Sequence, residues 1–245
     1  MSRKLFLGVA AAAWLIAAPA ATLAQSPPPH IAAALADAGR PAADKERDAN
    51  RKPAEMLAFA EVKPGQKVMD LIPGAGYFTR ILSKAVGPNG KVYAATSGPY
   101  AKQIEPVAKD PAYANVQVVE PPVLAKLPEP VDLIFTAQNY HDLHLAQMKL
   151  DVAAFNKGLF DALKPGGLLV VVDHAAVAGA PITVADSLHR IDPAIARKEL
   201  EAAGFQFVAE SDVLRNPADP KTGNVFDPSI RGKTDQFVFK FRKPG

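Results

Sequence analysis

Lys67-Val68-Met69-Asp70-Leu71-Ile72-Pro73-Gly74-Ala75-Gly76 decides the fold. Lys67 to Ile72 is a short apolar run of the kind that forms a strand buried on both faces, and Pro73 ends it. Two glycines one residue apart then let the backbone turn tightly and come close to a ligand, while a helix from Phe78 to Ala85 offers free N–H groups at its start. A dinucleotide fingerprint needs a third glycine at position 79. Thr79 stands there, which disfavours NAD and FAD.

Outward from this turn the same alternation repeats. Pro53 to Ala60 reads as a helix, Lys91 to Thr96 as a strand, Tyr100 to Lys109 as a helix, and Val116 to Glu120 and Val131 to Thr136 as strands. Met148, Val152, Phe155, Leu159 and Leu163 fall on one helical stripe, which stops at Lys164-Pro165-Gly166-Gly167 before the apolar strand Leu168 to Asp173. Asp192 and Pro193 open a helix with the stripe Ala196, Leu200 and Ala203 that closes at Gly204. Phe205 to Val213 and Asp235 to Phe241 have no helix between them and pair antiparallel. The expected fold is α/β, a Rossmann-like three-layer sandwich with a mostly parallel seven-stranded sheet and an antiparallel last strand. In such sheets ligands sit outside the carboxyl ends of the strands, beside the first strand.

The 245 residues, 49% hydrophobic and 22% charged, suit one globular domain with modest extensions. The absence of cysteine excludes disulfides, thiolate metal sites and a cysteine nucleophile. Ser2-Arg3-Lys4, the apolar run Leu5 to Ala18, Pro19 and Thr22-Leu23-Ala24 read as a secretory signal peptide over residues 1–24, cut after Ala24; an uncleaved anchor is the alternative. The expected location is therefore exported and periplasmic, with no membrane contact after cleavage. Arg3 and Lys4 leave with the signal, lowering the net charge from +3 to +1, so no nucleic-acid partner is expected. Residues 25–52 form a polar, proline-bearing lead-in that either stays solvated or folds back over the site and gives Arg47, Asp48 and Arg51 a purpose. The main domain spans residues 53–245.

Gln138-Asn139-Tyr140-His141-Asp142-Leu143-His144, after the fourth strand, is the densest chemical cluster in the chain. His141, oriented by Asp142 or another acceptor, suits a general base, and Asn139 and Tyr140 can position a reactant. The plainer reading has Asp142 capping a helix beside half-buried histidines. His141, Asp142, His144, Asp173 and His174 can also be drawn around a metal ion, but their spacing matches no metal motif and none is expected. The loop Leu214 to Thr234 is long enough for a lid or substrate wall, or for a mobile excursion.

Val68 to Gly76 resembles motif I of class I S-adenosylmethionine-dependent methyltransferases, and Leu163-Lys164-Pro165-Gly166-Gly167-Leu168 resembles their turn before strand five. Asn139-Tyr140-His141-Asp142 and Arg231-Gly232-Lys233-Thr234-Asp235-Gln236-Phe237 are similar to segments of a group of exported methyltransferases. The resemblance implies S-adenosylmethionine as cofactor and methyl transfer to an unidentified small molecule. It makes Gly74 and Gly76 the backbone approach to the cofactor's methionine part. Asp70 orders the turn or meets the amino group, and Tyr77, Thr79, Thr96 and Asn139 complete the cofactor site. His141, Tyr140 and Asp142 become the catalytic candidates. Thr96 and Pro122 stand where the family places acids against the ribose and the adenine, which leaves a non-catalytic exported binding module as the alternative.

Overall fold

The computed structural model describes residues 26–122 and 124–245. Residues 1–24, read from the sequence as a signal peptide, lie outside the described residues. The sheet is built from β1 (Lys67–Leu71), β2 (Lys91–Ala95), β3 (Val116–Val119), β4 (Val131–Ala137), β5 (Leu163–His174), β6 (Gln206–Glu210) and β7 (Gln236–Arg242). Their spatial order is β3-β2-β1-β4-β5-β7-β6. β1 to β5 pair in parallel, and β7 runs antiparallel to both β5 and β6. The expected seven-stranded Rossmann-like architecture is therefore present. Its strand order reverses between β1 and β4, which opens a crevice at their carboxyl ends.

Strand periodicity divides the core into two layers. Val68, Leu133, Phe135, Val170 and Val172 face one side, where they pack with Leu57, Ile81 and Ile104. Met69, Ile134, Leu169 and Val171 face the other, against Phe155, Leu159, Ala196 and Leu200. The helices of the first layer are α1 (Pro29–Leu35), α4 (Pro53–Phe59), α5 (Tyr77–Val86) and α6 (Ala101–Ala108), with the short α2 (Ala42–Glu46) and α3 (Asp48–Arg51) between α1 and α4. α7 (Val152–Ala162) and α9 (Pro193–Ala202) form the second layer, preceded in chain order at α9 by the short α8 (Val184–Leu188).

Two expectations are revised. The domain does not begin at residue 53: α1 packs on α5, Ile31 is 0% exposed, and the His30 ring nitrogen Nε2 lies 2.8 Å from the Val62 carbonyl. Ile31 and Ala34 supply an apolar face whose burial helps hold the lead-in against the body, the folded-back alternative. Met148 leaves the helical stripe and is 40% exposed. Lys149 turns left-handed at φ +49°, and the Asp151 carboxylate caps α7 by accepting from Ala154 N, so the helix starts only at Val152.

The segment between β6 and β7 is pinned rather than loose. Arg190 is fully buried and donates to both Asp219 oxygens (2.8 and 3.1 Å), to the Gly223 carbonyl and to the Ala175 carbonyl (both 2.9 Å). Asp219 also accepts from Asp235 N, and Val225 N donates to Leu188 O. These bonds hold Val225 and Phe226 in the lining of the crevice.

Candidate active site

The β1 turn holds an unusual backbone. Ile72, a β-branched residue, sits at φ +56°, and Gln138, across the crevice at the end of β4, sits at φ +66°. Such conformations persist only when neighbours over-determine them, and they cluster at functional sites. Ile72 N donates to Ala95 O (2.9 Å) and Gln138 N to Val172 O (2.7 Å). Asn139 spends its amide on this junction, donating to Ile72 O (2.9 Å) and Ala137 O (2.7 Å). Asn139 therefore staples the two strand ends together while lining the crevice.

The two glycines have different jobs. Gly74 (φ +55°) has no atom within 4 Å of the place a Cβ would occupy and lies in the crevice wall. At Gly76 (φ +85°) a Cβ would stand 2.7 Å from Ile104 Cδ1 and 2.9 Å from Val107 Cγ2, so this glycine admits α6 rather than a ligand. Tyr77 and Thr79 are likewise structural supports. The Tyr77 hydroxyl donates to Asp48 Oδ1 (2.6 Å), and Thr79 Oγ1, fully buried, donates to Asp70 Oδ2 (2.6 Å). Of the three residues expected at the cofactor, Tyr77 lines the cleft beside Gly74, whereas the Cβ direction of Gly76 and the Thr79 side chain face the protein interior.

Over this turn the crevice narrows to a cleft of about 160 Å³ roofed by Asp44, Arg47 and Arg51 of the lead-in. Arg80 on α5 holds Asp44 at 2.9 Å, and Arg40 holds Asp48 at 2.6 Å, which fastens the roof. Arg47 and Arg51 stack over the Tyr77 ring at 5.1 and 4.8 Å. Arg51 also donates to Gln138 Oε1. Burial, with Arg47 nearby, lowers the Arg51 guanidinium to a pKa of about 10. Among the described residues neither arginine forms an ion pair. On the cleft floor burial raises the Asp70 carboxyl to about 7, against the Thr79 hydrogen bond and the Arg51 charge. The cleft thus presents two unpaired cations at its roof and one reluctant carboxylate at its floor.

At Ile72, Gln138 and Asn139 the cleft meets a larger cavity of about 480 Å³. One end is the carboxyl end of β2, where Thr96 and Ser97 face in beside Tyr100 and Pro121. Pro122 points instead into a separate hollow with Lys126 and Glu129. The other end gathers His141, Asp142, His174, His189 and Phe226.

His141 is buried and doubly held. Its Nδ1 lies 2.8 Å from Asp173 Oδ1, its backbone N donates to Asp173 Oδ2 (2.6 Å), and its Nε2 lies 3.2 Å from Asp142 Oδ1. Burial alone would lower its pKa, but the charges and hydrogen bonds of Asp173 and Asp142 raise it to about 10. Both ring nitrogens are engaged by carboxylates, so the ring as placed has no free nitrogen to act as the expected general base. His174 is the opposite case: burial lowers it to about 4, leaving a neutral ring with Nδ1 2.7 Å from Thr234 Oγ1.

Tyr140 and His144 do not face the cavity. The Tyr140 hydroxyl donates to Glu199 Oε2 (2.9 Å) and accepts from Asn156 Nδ2 (2.7 Å), locking the loop to α7 and α9. The His144 Nε2 sits 3.1 Å from the same Glu199 oxygen. Tyr140 is thus removed from the expected catalytic set, because the tight turn over His141–His144 sends neighbouring side chains in opposite directions. His189 escaped the sequence reading. Its only local mark is its place three residues before the Asp192 cap, and the left-handed backbone that aims it (φ +53°) has no sequence signature.

No protein-family model matches the chain. Over 195 residues, 75% of this chain and 68% of the relative, it is 30% identical to a ubiquinone/menaquinone biosynthesis C-methyltransferase of Burkholderia vietnamiensis. Its fold is similar to that of a SAM dependent methyltransferase from Aquifex aeolicus, with a TM-score of 0.58, 24% identity, and coverage of 83% of this chain and 98% of that one. Aeropyrum pernix fibrillarin, solved with natively bound S-adenosyl-L-methionine, gives a TM-score of 0.54 at 17% identity over 80% of this chain and 76% of that one.

Proposed function

Because the chain belongs to the S-adenosylmethionine-dependent methyltransferases, we propose that it methylates a small molecule held against His141 and Asp142 in the 480 Å³ cavity. The observation that carries this reading is the junction at Ile72 and Asn139, where a narrow cleft lined by Arg47, Arg51 and Asp70 adjoins that cavity. The cofactor is S-adenosylmethionine, and its amino-acid end fits the cleft: Arg47 and Arg51 suit its carboxylate, Asp70 its ammonium, and Gly74 leaves room for close approach. Thr96 supplies a hydroxyl where the ribose belongs, though without the two acceptor oxygens of a carboxylate. When bound, the cofactor supplies an electrophilic methyl group that an acceptor lone pair takes as the carbon–sulfur bond breaks. The protein's part is mainly positioning, with Phe226 and Val225 closing the cavity from water.

The near-neutral charge beyond residue 24 and the enclosed cavity favour a small acceptor over a nucleic acid. The positive start, apolar run and small-x-small site of residues 1–24 support a working protein exported to the periplasm. Calorimetry with S-adenosylmethionine and S-adenosylhomocysteine tests the reading, and the expected result is saturable binding of both. Failure of either to bind would overturn it. Binding with no transfer to any acceptor would favour the exported binding module, the reading that Thr96 in place of an acid supports.

Cofactor affinity should depend on pH through Asp70. A carboxyl whose pKa stands at about 7 must release its proton before it can meet an ammonium, so the unprotonated, binding-competent form is lost as pH falls through 7. Affinity is expected to drop by up to about tenfold per pH unit below 7. Asp70→Asn, which still accepts from Thr79, should bind more weakly at pH 8 and show a flat profile. A flat wild-type profile from pH 5.5 to 8 would remove Asp70 from the cofactor site.

A further inference from the structure

We propose that His141 Nε2, Asp142 Oδ1 and His189 Nδ1 form a binding site for a divalent transition-metal ion at the inner end of the cavity. The site goes beyond methyl transfer and does not depend on it. Asp142 Oδ1 lies 3.2 Å from His141 Nε2 and 3.8 Å from His189 Nδ1, and the three residues each offer a ligand atom within 4.8 Å of the others. Ligand atoms bonded to one ion at about 2.0–2.2 Å stand roughly 3–3.6 Å apart, so a small rotation of His189 toward the pair completes the set. Two imidazoles and one carboxylate on one side of an ion, with the remaining positions open to a cavity, suit zinc, iron, cobalt or manganese. They do not suit magnesium or calcium, which take oxygen ligands.

A second observation points the same way. Asp173, fully buried, takes the far side of the His141 ring: its Oδ1 is 2.8 Å from Nδ1, and its Oδ2 accepts from the His141 backbone. This carboxylate–imidazole support fixes ring orientation and directs Nε2 outward, as it does behind metal-bound histidines. His189 is fixed with equal care. Its backbone is left-handed at φ +53°, Phe226 packs on its ring at 4.8 Å, and the next residue is the fully buried Arg190 tied to Asp219. Two imidazoles and a carboxylate from two segments, His141-Asp142 and His189, thus line the same end of the cavity.

The site also has a chemical use in that cavity. An ion with open positions holds a hydroxyl or carbonyl oxygen of a bound molecule and favours its deprotonated form. This supplies what His141, with both nitrogens engaged, does not offer by itself. If the cavity holds a methyl acceptor, that acceptor is one with an oxygen donor near the reacting atom, and this last step alone rests on the methyltransferase reading.

The test is direct binding by the purified protein after treatment with a chelator, using Co²⁺ for its visible absorption and Zn²⁺ for calorimetry. The expected result is one ion per chain with a Kd of about 10 µM or tighter, unaffected by excess Mg²⁺. Asp142→Ala and His189→Asn should each weaken binding by at least about tenfold; asparagine is chosen at 189 because it tolerates the left-handed backbone. Asp173→Asn should weaken it by about tenfold through loss of the ring's support. His144→Ala and His30→Ala, whose rings contact Glu199 and the Val62 carbonyl instead, should bind as wild type. No binding of either ion up to about 100 µM, or equal binding by the folded Asp142→Ala and His189→Asn variants, would overturn the site and leave His141 as an ion-paired imidazole.

Discussion

His141→Ala is expected to lower methyl-transfer turnover by about 10²-fold, through loss of the ring against which the acceptor is positioned, while changing the Kd for S-adenosylmethionine by less than about threefold. The split follows from where the side chain lies. His141 is at the inner end of the cavity, whereas the roof and floor that suit the cofactor's amino-acid end are Arg47, Arg51, Asp70 and Gly74. Deleting the ring does strip Asp173 of one partner, but the Asp173 carboxylate keeps its bonds from the backbone amides of His141 (2.6 Å) and His174 (2.7 Å). The folding cost should therefore stay near 1–3 kcal/mol, not enough to unfold the domain. Single-turnover rates and calorimetry on the same preparation separate the two effects. Unchanged turnover would take His141 out of the reaction, and a parallel loss of cofactor affinity would mean that the ring shapes the whole crevice. Tyr140→Phe is the matching control: it leaves cavity chemistry intact and costs only the hydroxyl's bonds to Glu199 and Asn156.

Asp219→Ala should destabilise the protein by about 3–5 kcal/mol, because it leaves the Arg190 guanidinium buried without its counter-charge. For a chain of this length that corresponds to a fall in Tm of roughly 6–20 °C. Arg190 is 0% exposed, and Asp219 meets it with both oxygens while also accepting from the backbone of Lys221 and Asp235. The carboxylate thus closes the long loop onto the end of β5 and places Phe226 over the cavity. Thermal unfolding followed by circular dichroism measures the cost, and a shift below about 2 °C would mean that the loop is held by other contacts. Replacing both members with apolar residues, Arg190→Met with Asp219→Leu, should recover most of the stability without restoring the loop's backbone anchors. Stability and turnover should then separate.

The sheet was legible because its signals are local. Each parallel strand is an apolar run bounded by Gly, Pro or Asn, and the cap at Asp192 and the reversal at Gly204 follow from residue type alone. Met148 failed as a helix residue for an equally local reason, the turn at Lys149, which a periodicity count passes over. The lead-in was ambiguous because a short helix from His30 to Ala38 is readable in the sequence, whereas the burial of Ile31 and Ala34 depends on packing with α5.

The site divides along the same line. Chain order alone placed the Asp70–Gly76 turn and the Asn139–Asp142 cluster at neighbouring strand ends, since topology dictates where parallel strands finish. Only the folded structure decided which side chains face the cavity. Tyr140 and His141 are adjacent yet point to opposite sides, and Thr79 turned inward to hold Asp70. Asp173, His189 and Arg51 reach the site from 32, 47 and 87 residues away from their partners at 141, 142 and 138. Residue type and periodicity carry information over a turn or two of backbone. The direction of a side chain at a strand end, and the company it keeps there, is set by contacts between segments that meet only when the sheet has formed.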